Sequence, residues 1–132
     1  MKKVNEIKRE IPLIIDKIDN ICKQYELTSD ELILELVRFL DLIHITDQKL
    51  SPSYLVDLVW HEFILFTRFY EQFCLKHYTR FIHHTPGKRE DANVFKRTIK
   101  LYINQYNQPN LKIWGDVAKE EWESLNCGSC HN

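Results

Sequence analysis

Thr28-Ser29-Asp30-Glu31-Leu32-Ile33-Leu34-Glu35-Leu36-Val37-Arg38-Phe39-Leu40-Asp41-Leu42-Ile43 carries both signals that decide the fold. Its first four residues have capping-box spacing, with Thr28 or Ser29 as the cap and Glu31 able to bond back to the chain start. Leu32, Leu36, Val37, Leu40 and Ile43 then recur at three- and four-residue intervals, the buried stripe of an amphipathic helix. The same period extends in both directions. Upstream, Val4, Ile7, Ile11, Ile14, Ile15, Ile18, Ile21 and Cys22 predict a helix over 4–24, which Pro12 should kink or restart.

Downstream, Ser51-Pro52 predicts a helix with serine as cap and proline at its first position, running from Tyr54 to about Phe63. Thr67 predicts the start of another, carrying Tyr70, Phe73, Cys74 and His77. Residues 82–88, with His83, His84, Pro86 and Gly87, read as a loop. Val94, Phe95, Ile99, Tyr102, Ile103 and Tyr106 restore helical spacing until the breaker Asn107-Gln108-Pro109-Asn110. A short helix from Asp116 to Trp122 completes the pattern. No convincing alternating run and no internal repeat occurs. The expectation is all-α: a single compact orthogonal bundle of five to six helices over 1–126, then a cysteine-containing tail over 127–132.

Composition sets bounds on function. A chain of 132 residues has the length of one ordinary domain and can build a core without disulfides or metal. Eighteen basic residues against nineteen acidic ones give a net charge of -1, which argues against nucleic acid or an acidic membrane as the partner. Three glycines leave no phosphate-cradling loop. The apolar run Ile11–Ile15, broken by Pro12, is too short for an export signal, and no stretch is long enough to span a bilayer. A reducing cytoplasm is the expected compartment, with Cys22, Cys74, Cys127 and Cys130 as thiols and Cys22 inert in the first helix.

The chemistry-bearing residues gather between 57 and 84. Asp57 and His61 are one helical turn apart, so the carboxylate can hold one imidazole nitrogen and leave the other for a metal. The plainer reading is an ordinary polar pair on a helix. His61-Glu62 begins like a zinc-protease helix, but Leu65 stands where the second histidine would be. Tyr70, Cys74 and His77 share a face; a buried thiol and a core ring are the plainer readings of the first two. His83 and His84 are adjacent on a loop, so at most one should face a site shared with His61.

The tail Cys127-Gly128-Ser129-Cys130-His131 fits a zinc knuckle best, then free thiols, then a redox pair, then a haem attachment sequence. A knuckle needs further ligands, for which His61 and His83 or His84 are candidates.

In combination, Asp57-Leu-Val-Trp60-His61, Tyr70, Cys74 and His84-Thr-Pro86 resemble the motif of the glycine-rich-domain-containing-protein-like family. The resemblance covers about residues 30–125 and implies a small helical domain of largely undefined activity, often joined to a glycine- and cysteine-rich tail. Two departures stand out. Phe63 occupies the second position of that family's His-x-His, and the tail is reduced to Cys127–Cys130.

The leading expectation is therefore a cytoplasmic domain binding zinc through His61, His84 and Cys74 or the Cys127/Cys130 pair, with Asp57 and Tyr70 supporting the ligands. The alternative is a helical protein-interaction module whose histidines, cysteines and Trp60 are structural, with a protein partner of unspecified kind. An enzyme using His61 and Cys74 as base and nucleophile ranks last.

Overall fold

The computed structural model describes residues 1–84 and 92–126. Among these, every regular element is a helix. They are α1 (Lys2–Glu10), α2 (Leu13–Tyr25), α3 (Ser29–Ile45), α4 (Tyr54–Ile64), α5 (Thr67–Tyr78), α6 (Ala92–Tyr106), α7 (Leu111–Trp114) and α8 (Asp116–Asn126). The all-α expectation holds, but the helix count of five to six falls short, for two local reasons. Pro12 does more than kink the first helix. Its ring disfavours helical geometry at Ile11, whose backbone turns to φ -133° and ψ 65°, and Pro12 becomes the residue from which α2 starts. The second extra helix is α7, capped by the Asn110 side chain, which accepts from the Lys112 backbone N–H. The breaker that ends α6 thus also begins α7.

The capping box at the start of α3 forms with Thr28 as the cap: Glu31 N–H donates to Thr28 Oγ1, and Thr28 N–H donates to the Glu31 carboxylate. At α4 the cap is Ser53 rather than Ser51. Ser51 is buried, and its backbone N–H donates to Thr98 Oγ1, which in turn donates to the Val94 carbonyl, so that serine ties the α3–α4 connection to α6. Thr67 is the first residue of α5, whose cap position is Phe66, with no side-chain cap.

Helices α3 and α4 form the centre. α3 packs on α1, α2, α4 and α6, and α4 packs on α2, α3, α5 and α7. Rings fill the space between them. Phe39 meets Trp60 edge-on at 5.4 Å, and Phe63 meets Tyr70 and Phe73 at 5.0 and 5.4 Å. Phe63, at the position where the resembled family has a histidine, is wholly buried and belongs to this core. One polar knot lies within it. Glu35, 3% exposed, accepts from the Tyr102 hydroxyl and the Trp114 indole through one carboxylate oxygen and from Arg38 through the other. It joins α3, α6 and α7. No helix of the described residues is long and apolar enough to cross a membrane. The tail of 127–132 lies outside the described residues.

Candidate metal centre

The outer end of α4 exposes what its inner face cannot use. Leu55, Val56, Val59, Trp60 and Phe63 are buried, which leaves Asp57 half-exposed and His61 exposed on the solvent side, one turn apart. The third member arrives from beyond α5. That helix ends at Thr79 in a left-handed turn, φ 61°, and the chain runs back through Phe81 and Ile82 to His84. Burying Ile82, which is 2% exposed, holds this return against the bundle.

His84 then meets both α4 residues. Its Nε2 lies 2.6 Å from Asp57 Oδ1, and its ring meets that of His61 nearly perpendicular at 4.7 Å. One donor atom from each of Asp57, His61 and His84 falls within 4.8 Å of the others. A divalent ion sits about 2 Å from each imidazole or carboxylate donor, so its ligands are at most about 4 Å apart.

The carboxylate partner differs from the expected one. Asp57 Oδ1 pairs with His84 Nε2, not with His61, and lies among the possible donors rather than behind them. One-turn spacing suggested the Asp57–His61 pairing; the chain arriving from α5 instead brings the His84 nitrogen to 2.6 Å. His83 is exposed and its ring lies on Phe81 at 4.6 Å, so of the two adjacent histidines it is His84 that faces His61.

Cys74 is not brought into this group. Its thiol is wholly buried, against the Tyr70 side chain and the Ile82 backbone, and burial pushes its pKa up. An inert thiol of this kind lacks the lowered pKa of a nucleophile, and His61 lies on the exposed side of α4. Tyr70 is equally enclosed. Its hydroxyl accepts from the Trp60 indole N–H at 3.0 Å and donates to the Ile82 carbonyl at 2.6 Å, and burial holds its proton far above the ordinary phenol range. His77 also turns elsewhere: its Nε2 lies 2.8 Å from Glu6 on α1. Cys127 and Cys130 fall outside the described residues, as do Thr85 and Pro86.

Sequence spacing missed the polar knot around Glu35, because its partners on α6 and α7 are remote in the chain and each looks like a core ring on its own. It contributes to the fold, away from the Asp57–His61–His84 group.

No curated protein and no solved structure matches the chain. A protein-family profile described as UCP032817-like matches residues 9–112, which takes in α2 through α6 and all three members of the triad. This overturns the resemblance to the glycine-rich-domain-containing-protein-like family. That resemblance rested on a handful of residues, and the structure shows Trp60, Tyr70 and Cys74 packed in the core, where residues of these types recur for reasons of packing alone. The chain belongs to the UCP032817-like family.

Proposed function

We propose that this small helical protein binds one divalent metal ion through Asp57, His61 and His84. The observation that carries the reading is the convergence of these three donors, from one turn of α4 and a chain segment 23 residues beyond His61. Two imidazoles and one carboxylate make a borderline donor set that suits zinc, with ferrous iron the next candidate. The residues fit the ion on their own chemistry. His84 Nε2 and Asp57 Oδ1 are close enough to share a proton, and a cation can take that proton's place.

Three protein ligands leave room for an exogenous one, which is the pattern of a metal that meets water or a substrate rather than one that only braces a fold. The burial pattern agrees, since the core is complete beneath the site and His61 contributes little to it. A bound zinc ion would supply Lewis acidity there. Asp57 and His84 would hold it against the bundle, and His61 would close it from the solvent side.

Calorimetric titration of tag-free protein with zinc tests this. The expected result is one ion per chain for the wild type and loss of binding in His61→Ala, with a melting temperature close to the wild type's in the absence of metal. If His61→Ala keeps the ion, or loses several kcal/mol of stability as a buried polar network would, the histidines are structural and the protein-interaction reading takes its place.

A further inference from the structure

His84 is the one member of the triad that no helix holds. It follows a left-handed helix end and a short irregular stretch, yet its imidazole must be held within about 0.5 Å of the productive geometry to ligate with Asp57 and His61. Something must fix the chain just before it. The polar contact in that position comes from Tyr70, whose hydroxyl donates to the carbonyl of Ile82, two residues upstream of His84.

We infer that Tyr70 is a positioning residue of the metal centre, its hydroxyl setting the reach of His84 towards Asp57 and His61. The inference rests on the metal-binding reading above and extends it to a residue that touches no metal. Tyr70 stands at a junction. It receives the indole N–H of Trp60, which lies on α4 between Asp57 and His61, and passes a hydrogen bond on to the Ile82 peptide. The Trp60 ring also abuts the His84 imidazole edge-on at 4.5 Å. His84 is thus located twice, through its backbone at Ile82 and through its ring at Trp60, and both supports meet at one hydroxyl.

Cys74 adds to the same cluster, its sulfur against the Ile82 backbone and the Tyr70 side chain. Phe81 adds its ring to that of Tyr70 at 5.4 Å. Because Trp60, Tyr70, Cys74 and Ile82 are all buried, no solvent competes for these hydrogen bonds, and removing one polar atom leaves two partners unsatisfied. Partners hydrogen-bonded directly to a metal ligand are commonly worth 10- to 100-fold in metal affinity, and Tyr70, one step further out, should weigh at the lower end.

A bland alternative is that Tyr70 is a core ring whose hydroxyl is merely satisfied. The two separate on cobalt(II), whose visible absorption reports ligand geometry directly. Wild type, Tyr70→Phe and Tyr78→Phe are titrated with cobalt(II), and their melting temperatures are measured without metal. Tyr78 is a fair control, since it is equally buried and its hydroxyl donates to Asp41 on α3. Both variants should melt lower than the wild type. Only Tyr70→Phe should bind cobalt more weakly, by about 10-fold, with an altered spectrum. Should Tyr70→Phe not fold, Trp60→Phe, which keeps a ring against His84 and removes the indole N–H, must show the same selective loss. Wild-type affinity and spectrum in the folded variant overturn this inference alone. Absence of cobalt binding by the wild type overturns the metal reading and this inference with it.

Discussion

His84 Nε2 and Asp57 Oδ1 lie 2.6 Å apart although 27 residues separate them, and this contact joins the return from α5 to the exposed face of α4. The Asp57 side chain is 43% exposed, which keeps the pair weak as a brace. A hydrogen bond whose acceptor is half-exposed contributes about 1 kcal/mol. Asp57→Asn, which keeps the shape and an acceptor oxygen but removes the charge, should therefore change metal-free stability by less than about 1 kcal/mol while strongly weakening zinc binding. Thermal melts with and without zinc check both halves. A large loss of metal-free stability would mark the pair as a structural tie.

The buried knot at Glu35 should behave in the opposite way. Its carboxylate holds Tyr102, Trp114 and Arg38 together, and burial with that neighbouring carboxylate keeps the Tyr102 proton well above the usual phenol range. Glu35→Ala leaves an arginine and two ring donors without their acceptor, at a cost of about 3–5 kcal/mol. Urea unfolding should show that loss. Zinc affinity of the remaining folded fraction should be unchanged.

Acid should loosen the contact between α1 and α5. Burial raises the Glu6 carboxyl, but the hydrogen bonds from His77 and Lys76 outweigh it, and its pKa falls below the ordinary 4.5. A carboxylate with a lowered folded-state pKa stabilises the fold above its unfolded value, and the contribution disappears as pH falls through the folded one. Stability should thus decline below pH 4.5, and Glu6→Gln should flatten that part of the curve. Urea midpoints measured across the acid range decide it; an equally steep decline in the variant would remove Glu6 from the explanation.

Gly115 joins α7 to α8 at φ 86° and ψ -168°, a region that side chains other than glycine's avoid. Nothing lies within 4 Å of where a Cβ would stand, so strain alone sets the cost of Gly115→Ala. It should be about 1–3 kcal/mol. An unchanged urea midpoint would show that the turn relaxes.

Helical period alone carried the fold class, because α3, α4 and α6 are long enough for several repeats of an apolar stripe. What the period could not show is where one helix becomes two. Pro12 admits a kink or a break, and only the turn of Ile11 distinguishes them. α7 is a single turn, too short for any repeat, and its start lies inside what reads as a breaker. The candidate site was half legible. Asp57 and His61 share a helix face by spacing, and His84 was in view as a loop histidine. Their pairing was not, because it depends on the path from Thr79 to Ile82, which hangs on a left-handed residue and on one tyrosine hydroxyl. Cys74 looked like a ligand for the same reason it is buried: it sits one turn from Tyr70, on the face that holds the loop from within.

The central claim, a metal ion held by Asp57, His61 and His84, is tested most directly by elemental analysis of protein purified without a histidine tag, wild type beside a His61→Ala/His84→Ala double variant. Close to one zinc or iron per chain is expected in the wild type and none in the double variant, with both proteins showing the same helical spectrum. Equal metal in the two proteins, or none in the wild type even after incubation with zinc, would contradict it.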